Sequence, residues 1–141
     1  MTTILLINLF SSFFLCGLIW TIQLVHYPMF HYLDGSEFAS HMNQHKSRIS
    51  VIVVPVMVIE LVSSGWLALS AEILRVYHIT GLAVVIAIWL VTFLIQVPQH
   101  NRLSAGKDDE VIGKLVRGNR IRTLLWSAKS LIGIAILYQL L

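Results

Sequence analysis

Four of the six histidines stand where imidazoles could work together. His41 and His45 are at i, i+4, which puts two rings on one helical face within reach of a single metal ion. Two similar stretches, WTIQLVHYPMFH (20–31) and WLVTFLIQVPQH (89–100), each end on a His; His26 lies inside the first and His100 closes the second. If helices bring these segments together, His26, His41, His45 and His100 offer a three- or four-nitrogen site for haem or a transition metal. Without a metal, an imidazole such as His45 can act as a general base near neutral pH. The bland alternative is a solvated HxxxH face, and the paired Glu-x-x-His of di-iron bundles is missing. Haem, a transition metal or no cofactor are therefore the three readings the histidines leave open.

A second set of residues is unusual because it is charged inside apolar sequence. At about 100° per residue, Asn119, Arg122, Trp126 and Lys129 fall within roughly 80° of one another on the last apolar segment. Trp89, Thr92, Gln96, Gln99 and His100 share a side of the third, and Ser12, Cys16, Gln23 and His26 share one of the first, with Trp20 nearby. The second stacks His41, His45, Arg48 and Ser63, with Glu60 about 60° away from His45. Glu60 lies about 22 Å along the helix from His45, too deep to join the histidines. Burying Arg122, Lys129 or Glu60 in a bilayer costs about 2.5–3.5 kcal/mol each, so these stripes are expected to face one another inside a bundle. Ser12 and Thr92 need no more than a role as interhelical glue; the charged groups ask for a polar pocket.

The elements that must position these residues are transmembrane helices. The chain of 141 residues is 57% apolar and only 12% charged, against roughly 25% charged in soluble domains. Crossing the hydrocarbon takes about 20 apolar residues, and four stretches qualify, about 4–27, 49–70, 77–97 and 121–141. This predicts an all-α, antiparallel four-helix transmembrane bundle in a single domain, 1–141. The first stretch lacks a basic leader and a small-residue cleavage site, so it reads as a span and not a signal peptide. Lys46, Arg48, Arg102, Lys107, Lys114, Arg117, Arg120 and Arg122 all fall on the side of the connections 28–48 and 98–120. The positive-inside rule makes those connections cytoplasmic and sends both termini outward, as in a multi-pass protein of a bacterial inner membrane.

Finer features follow. Asp34 and Glu37 have capping-box spacing, predicting a helix start near residue 36. Residues 108–117 (DDEVIGKLVR) read as a short amphipathic helix lying on the interface. Pro55 is expected to kink the second helix, and Pro28 and Pro98 to shape the ends of the first and third. Gly17, Gly65, Gly81 and Gly133 are candidates for close helix approach. The two stretches quoted above suggest a weak repeat of helices 1–2 in helices 3–4, out of step by a residue or two. Cys16 is alone, so no intrachain disulfide forms. The pI of about 9.3 arises from topology-setting cations and not from a basic patch interleaved with aromatics, which argues against nucleic acid as a partner. Lipid is the partner the surface requires; homo-oligomerisation stays open. No Gly-rich phosphate loop, G-x-S-x-G, H-E-x-x-H or C-x-x-C is present.

At VPQHNRL (97–103) and GNRIRTLLW (118–126) the chain resembles a family of small four-helix membrane proteins that includes the fungal anthrone oxygenases. The matching positions are Pro98, Asn101, Arg102 and Leu103, then Asn119 and Arg122. The His-rich first half, with HYPMFH and HMNQH, has no counterpart in that pattern. More loosely, the size and interfacial histidines are similar to a small haem-binding membrane oxidase of porphyrin synthesis. The resemblance implies oxidation of a flat, hydrophobic aromatic substrate taken from the bilayer. In that reading Trp20, Trp89 and Trp126 wall the pocket, with Gln23, Gln96 and Asn101 as polar contacts. Arg122 and Lys129, with Asn119, would stabilise an enolate or phenolate while His45 takes the proton. The alternatives are a haem- or metal-binding protein using the His set, and a non-enzymatic subunit or small transporter whose stripes only assemble helices.

Overall fold

Four apolar runs fold into four long helices in the computed structural model, which describes residues 1–141 throughout. They are α1 (Thr2–Tyr32), α2 (Phe38–Ser70), α3 (Arg75–Leu103) and α4 (Asp109–Leu140), each long and apolar enough to cross a membrane. There are no strands. Each helix packs on its neighbours in sequence, and α1 also packs on α4, closing a ring. Neighbours run antiparallel: Asn8 early in α1 bonds Ser63 and Ser64 late in α2, while His26 late in α1 bonds His45 early in α2.

The helices are longer than their apolar segments. The expected connections 28–48 and 98–120 shrink to 33–37 and 104–108, because helical backbone continues past the spans at that end of the bundle. The reason is a buried apolar cluster beyond the spans, where Phe38, Met42, Leu103, Ile112 and Leu115 are almost fully enclosed. Residues 108–117 therefore do not form a separate surface helix. They are the first turns of α4, with Val111, Ile112 and Leu115 turned into the bundle. Asp108 caps that helix by accepting from the backbone N–H groups of Glu110 and Val111 at 3.0 and 3.1 Å.

The other cap differs from expectation. Asp34 accepts from the Ser36 N–H in a local turn, which holds its carboxyl below the usual carboxylate range, while α2 begins at Phe38. The Glu37 side chain turns to His41 instead of closing a capping box. Cross-loop bonds tie this end together: Lys107 donates to the carbonyls of His31 and Leu33 at 2.7 and 3.0 Å, and His31 pairs with Asp109 at 3.0 Å.

Proline acts where the opening stretches end. Pro28 and Pro98 lack the N–H that would reach the carbonyl four residues back. The turn before each widens into a π segment, Ile22–His26 and Thr92–Gln96, closed by Tyr27 N–H to Ile22 O and Val97 N–H to Thr92 O. These two segments define the repeat in the two halves. In that register His26 matches Gln96 and Gln23 matches Phe93, so the backbone device repeats and the polar side chains do not. Helix α2 stays α-helical through Pro55.

Close helix approach uses fewer glycines than the sequence offers. Gly17 and Gly65 face open space, whereas Gly81 lies against the stem of Lys129 and Gly133 against Leu9. Gly118 is the tightest approach beside the site. A Cβ there would lie 2.9 Å from Gln96 Nε2 and from Ile95 Cγ2.

Candidate ligand pocket between α2 and α3

The polar stripes meet inside the ring, but in two layers. The layer nearer the termini is built on Glu60 and Lys129, both buried. Lys129 donates to Asn8 Oδ1 at 2.9 Å and to Ser12 Oγ at 3.2 Å. Ser12 in turn donates to Glu60 Oε1 at 2.8 Å, and the Trp126 indole N–H reaches Glu60 Oε2 at 3.0 Å. Ser12 thus bridges the two charges, and every strongly polar group in the layer has a partner. This layer is closed and structurally complete.

The second layer, nearer the basic end, is not complete. It surrounds a cavity of about 290 Å³ between α2 and α3 whose lining includes Tyr27, Trp89, Gln96, His100 and Arg122. That volume is at the lower edge of the range for small-molecule sites, roughly 300–1,000 Å³. Val54, Phe93 and Val97 form its outer rim and are exposed on the lipid-facing side. Lys46 and Asn101 bound it at the polar end, with Lys46 donating to Asn101 Oδ1 at 2.8 Å. Its apolar rim is thus exposed on the flank of the bundle, and the Lys46–Asn101 bond crosses its polar end.

Its walls carry unmet hydrogen bonds. Arg122 Nε, Trp89 Nε1 and Gln96 Oε1 are all buried and have no partner. Such a group costs about 1–3 kcal/mol where it stays unpaired, and all three belong to residues that line this cavity. Arg122 forms no ion pair. Its guanidinium is held instead by Asn119 Oδ1 at 3.3 Å and by the Trp126 ring, whose centroid lies 5.1 Å away. Asn119 is oriented by donating to Gln23 Oε1 at 3.0 Å.

Beside Arg122 stands a hydrogen-bonded pair, Tyr27 and His100, of which only His100 stands out in the sequence. His100 Nδ1 lies 2.9 Å from the Gln96 backbone carbonyl, which only accepts, so Nδ1 carries the proton of the neutral ring. Nε2 is then an acceptor, and the Tyr27 hydroxyl donates to it at 3.2 Å. Tyr27 is buried, and the charge of Arg122 acts on it. In sequence the residue follows His26 inside an aromatic, apolar turn and carries no motif of its own. The signal that could have found it is its position just before Pro28, where the π segment ends.

The expected site residues are thus distributed unevenly. Arg122, Trp89, Gln96, His100 and Asn101 line the cavity, while Asn119 and Gln23 stand behind Arg122. Trp126 is the floor beneath the guanidinium. Trp20 is half exposed on the far side, donating to Ser127 Oγ at 3.0 Å between α1 and α4. Lys129 belongs to the Glu60 layer, so it cannot share an anion with Arg122. His45 does not line the cavity; it stacks on His100 with ring centroids 5.7 Å apart and bonds His26, Nδ1 to Nε2, at 2.8 Å.

The four-histidine metal set is not assembled. His41 turns outward to Glu37 at 3.5 Å, and both nitrogens of His100 are engaged by Gln96 and Tyr27. No group of three His, Cys, Asp or Glu side chains is disposed to hold a metal ion.

Fold and site together define a multi-pass helical membrane protein with a lateral, part-polar cavity. No family model matches the chain, and no curated protein or solved structure is significantly similar to it.

Proposed function

We propose that this protein takes a flat, largely apolar molecule bearing an acidic or carbonyl oxygen from the bilayer into the α2–α3 cavity and oxidises it there. One observation carries the reading: a buried guanidinium without a counter-ion, with two other unpartnered polar atoms around the same lateral cavity. A ligand oxygen beside Arg122 and Trp89 would accept from their free N–H groups, and a ligand hydroxyl could donate to Gln96 Oε1.

The chemistry that suits these groups is removal of a proton from carbon next to an aromatic ketone. Tyr27 accepts that proton while passing its own to His100 Nε2, and Arg122 holds the enolate or phenolate that develops. The electron-rich carbanion then meets O2, which is the oxidant. The methylene carbon gives up both hydrogens and takes one oxygen atom to become a carbonyl. The other oxygen atom leaves with those two hydrogens as water, so one O2 is consumed per ketone formed. The likeness of VPQHNRL and GNRIRTLLW to the family that includes the fungal anthrone oxygenases supports this reading. Asn101 of that pattern bounds the cavity and Arg122 lines it. The excess of Lys and Arg at the 33–37 and 104–108 end supports a cytoplasmic placement of that end in a bacterial inner membrane.

The test is O2 uptake with anthrone by the purified protein in lipid nanodiscs. Turnover that falls at least about a hundredfold in Arg122→Gln and in Tyr27→Phe is expected. Turnover unchanged in both would overturn the assignment.

A further inference from the structure

A second depression lies on the opposite side of α2, between α1 and α2, and the proposed oxidation makes no use of it. Its volume is about 430 Å³, and it is open to the outside. Its lining is sorted by depth. Leu18, Ile22, Ile49 and Ile52 form the part inside the spans, and His26, His41, His45, Gln44 and Arg48 form the edge at the basic end. The α2 contributors recur at helical spacing (41, 44, 45, 48, 49, 52), so one face of the helix carries both the polar edge and the apolar wall. The π segment of α1 brings His26 over that edge, where it meets His45.

The edge carries one cation, Arg48, beside three imidazoles that offer hydrogen bonds. Arg48 forms no ion pair, and no carboxylate lines the depression. The one acid in contact with it is Glu37, on the outer side of His41. His45 Nε2 is buried without a partner. Further along the same helix pair an apolar depression of about 320 Å³ continues past Phe10, Val56 and Ile59 toward the termini. A rim with one unpaired arginine at the level where the span ends, beside apolar depressions between the same two helices, fits one kind of occupant.

We propose that the α1–α2 groove is a binding site for an anionic phospholipid, its phosphate held by Arg48 with the His26, His41 and His45 edge and its acyl chain lying over Ile22, Ile49 and Ile52. A zwitterionic lipid offers the same chain but no net charge to the rim. Inorganic phosphate offers the charge but not the chain. The groove needs both, which selects the lipid.

The experiment is native mass spectrometry of the full chain in detergent, titrated with dioleoyl phosphatidylglycerol or dioleoyl phosphatidylcholine. Phosphatidylglycerol adducts should form at roughly five-fold lower lipid concentration than phosphatidylcholine adducts, the worth of about one interfacial arginine. Arg48→Gln should erase that preference, whereas Arg117→Gln, exposed on α4, should retain it. Ile52→Trp, which fills the apolar wall and leaves the rim intact, should weaken both lipids together; it serves if Arg48→Gln fails to fold. Excess inorganic phosphate should leave the phosphatidylglycerol adduct in place. Equal retention of the two lipids, an unchanged preference in Arg48→Gln, lipid binding unaffected by Ile52→Trp, or displacement by phosphate would each overturn the proposal.

Discussion

Removing the charge of Lys129 separates an energetic role for the Glu60 layer from mere decoration of helix contacts. In Lys129→Met, Asn8 Oδ1 loses its donor, and Glu60 keeps Ser12 and Trp126 as hydrogen-bond partners but loses the cation that Ser12 relays to it. Glu60 and Lys129 are linked only through Ser12, so the loss should be at or below the roughly 3–5 kcal/mol that stranding one member of a direct buried ion pair costs. The insertion cost of about 2.5–3.5 kcal/mol for a mid-membrane charge points the same way. Glu60→Leu should cost a similar amount, since it leaves the Trp126 N–H without an acceptor and Lys129 without the carboxylate that Ser12 relays to it. The double variant Glu60→Leu/Lys129→Met removes both charges, so its loss should be far smaller than the sum of the single losses. A coupling of at least about 2 kcal/mol is expected. Reversible unfolding in mixed micelles, followed by tryptophan fluorescence, gives all three values. Single losses near 0.6 kcal/mol, about the average for an interhelical hydrogen bond in a membrane protein, would refute the reasoning. So would additivity within about 0.5 kcal/mol.

Other outcomes can be stated briefly. Gly118→Ala places a methyl 2.9 Å from Gln96 Nε2 and Ile95 Cγ2, so Gln96 must leave its position on the cavity wall; anthrone affinity measured by equilibrium titration should drop about tenfold or more. Asp108→Ala deletes the cap of α4 and should cost about 1 kcal/mol in the same unfolding assay, with ligand affinity unchanged. Phe38→Ala empties the apolar cluster beyond the spans and should cost about 3–5 kcal/mol, loosening the 33–37 and 104–108 links in hydrogen exchange.

The spans and stripes can be read directly, because a membrane imposes strong rules: about 20 apolar residues per crossing, and no stray charge facing lipid. Arg122, Lys129 and Glu60 are readable as interior on that ground alone, and all three are buried. What periodicity does not give is depth. Helical angle places Lys129 and Arg122 on one face, yet the rise between them separates them into two layers, one satisfied and one not. The helix extensions are obscured for a different reason. Phe38, Met42, Leu103, Ile112 and Leu115 lie among charged residues, so local polarity hides a cluster that forms only when four helix ends converge. Histidine spacing misleads through direction: His41 and His45 share a face, but that face lines the α1–α2 groove and not the cavity with His100. Tyr27 acquires its role only from the Gln96 carbonyl, which fixes the His100 tautomer, and a backbone group on another helix leaves no mark in sequence.

The α2–α3 cavity as a ligand site is tested most directly by equilibrium binding of anthrone to the protein in lipid nanodiscs. Binding is read as quenching of the fluorescence that Trp89→Phe removes. Saturable quenching is expected in the parent protein. In Arg122→Gln the affinity should fall about 10- to 150-fold, the worth of one charge-assisted hydrogen bond of about 1.5–3 kcal/mol. Quenching that is absent, or that persists with equal affinity in Arg122→Gln, would contradict the account.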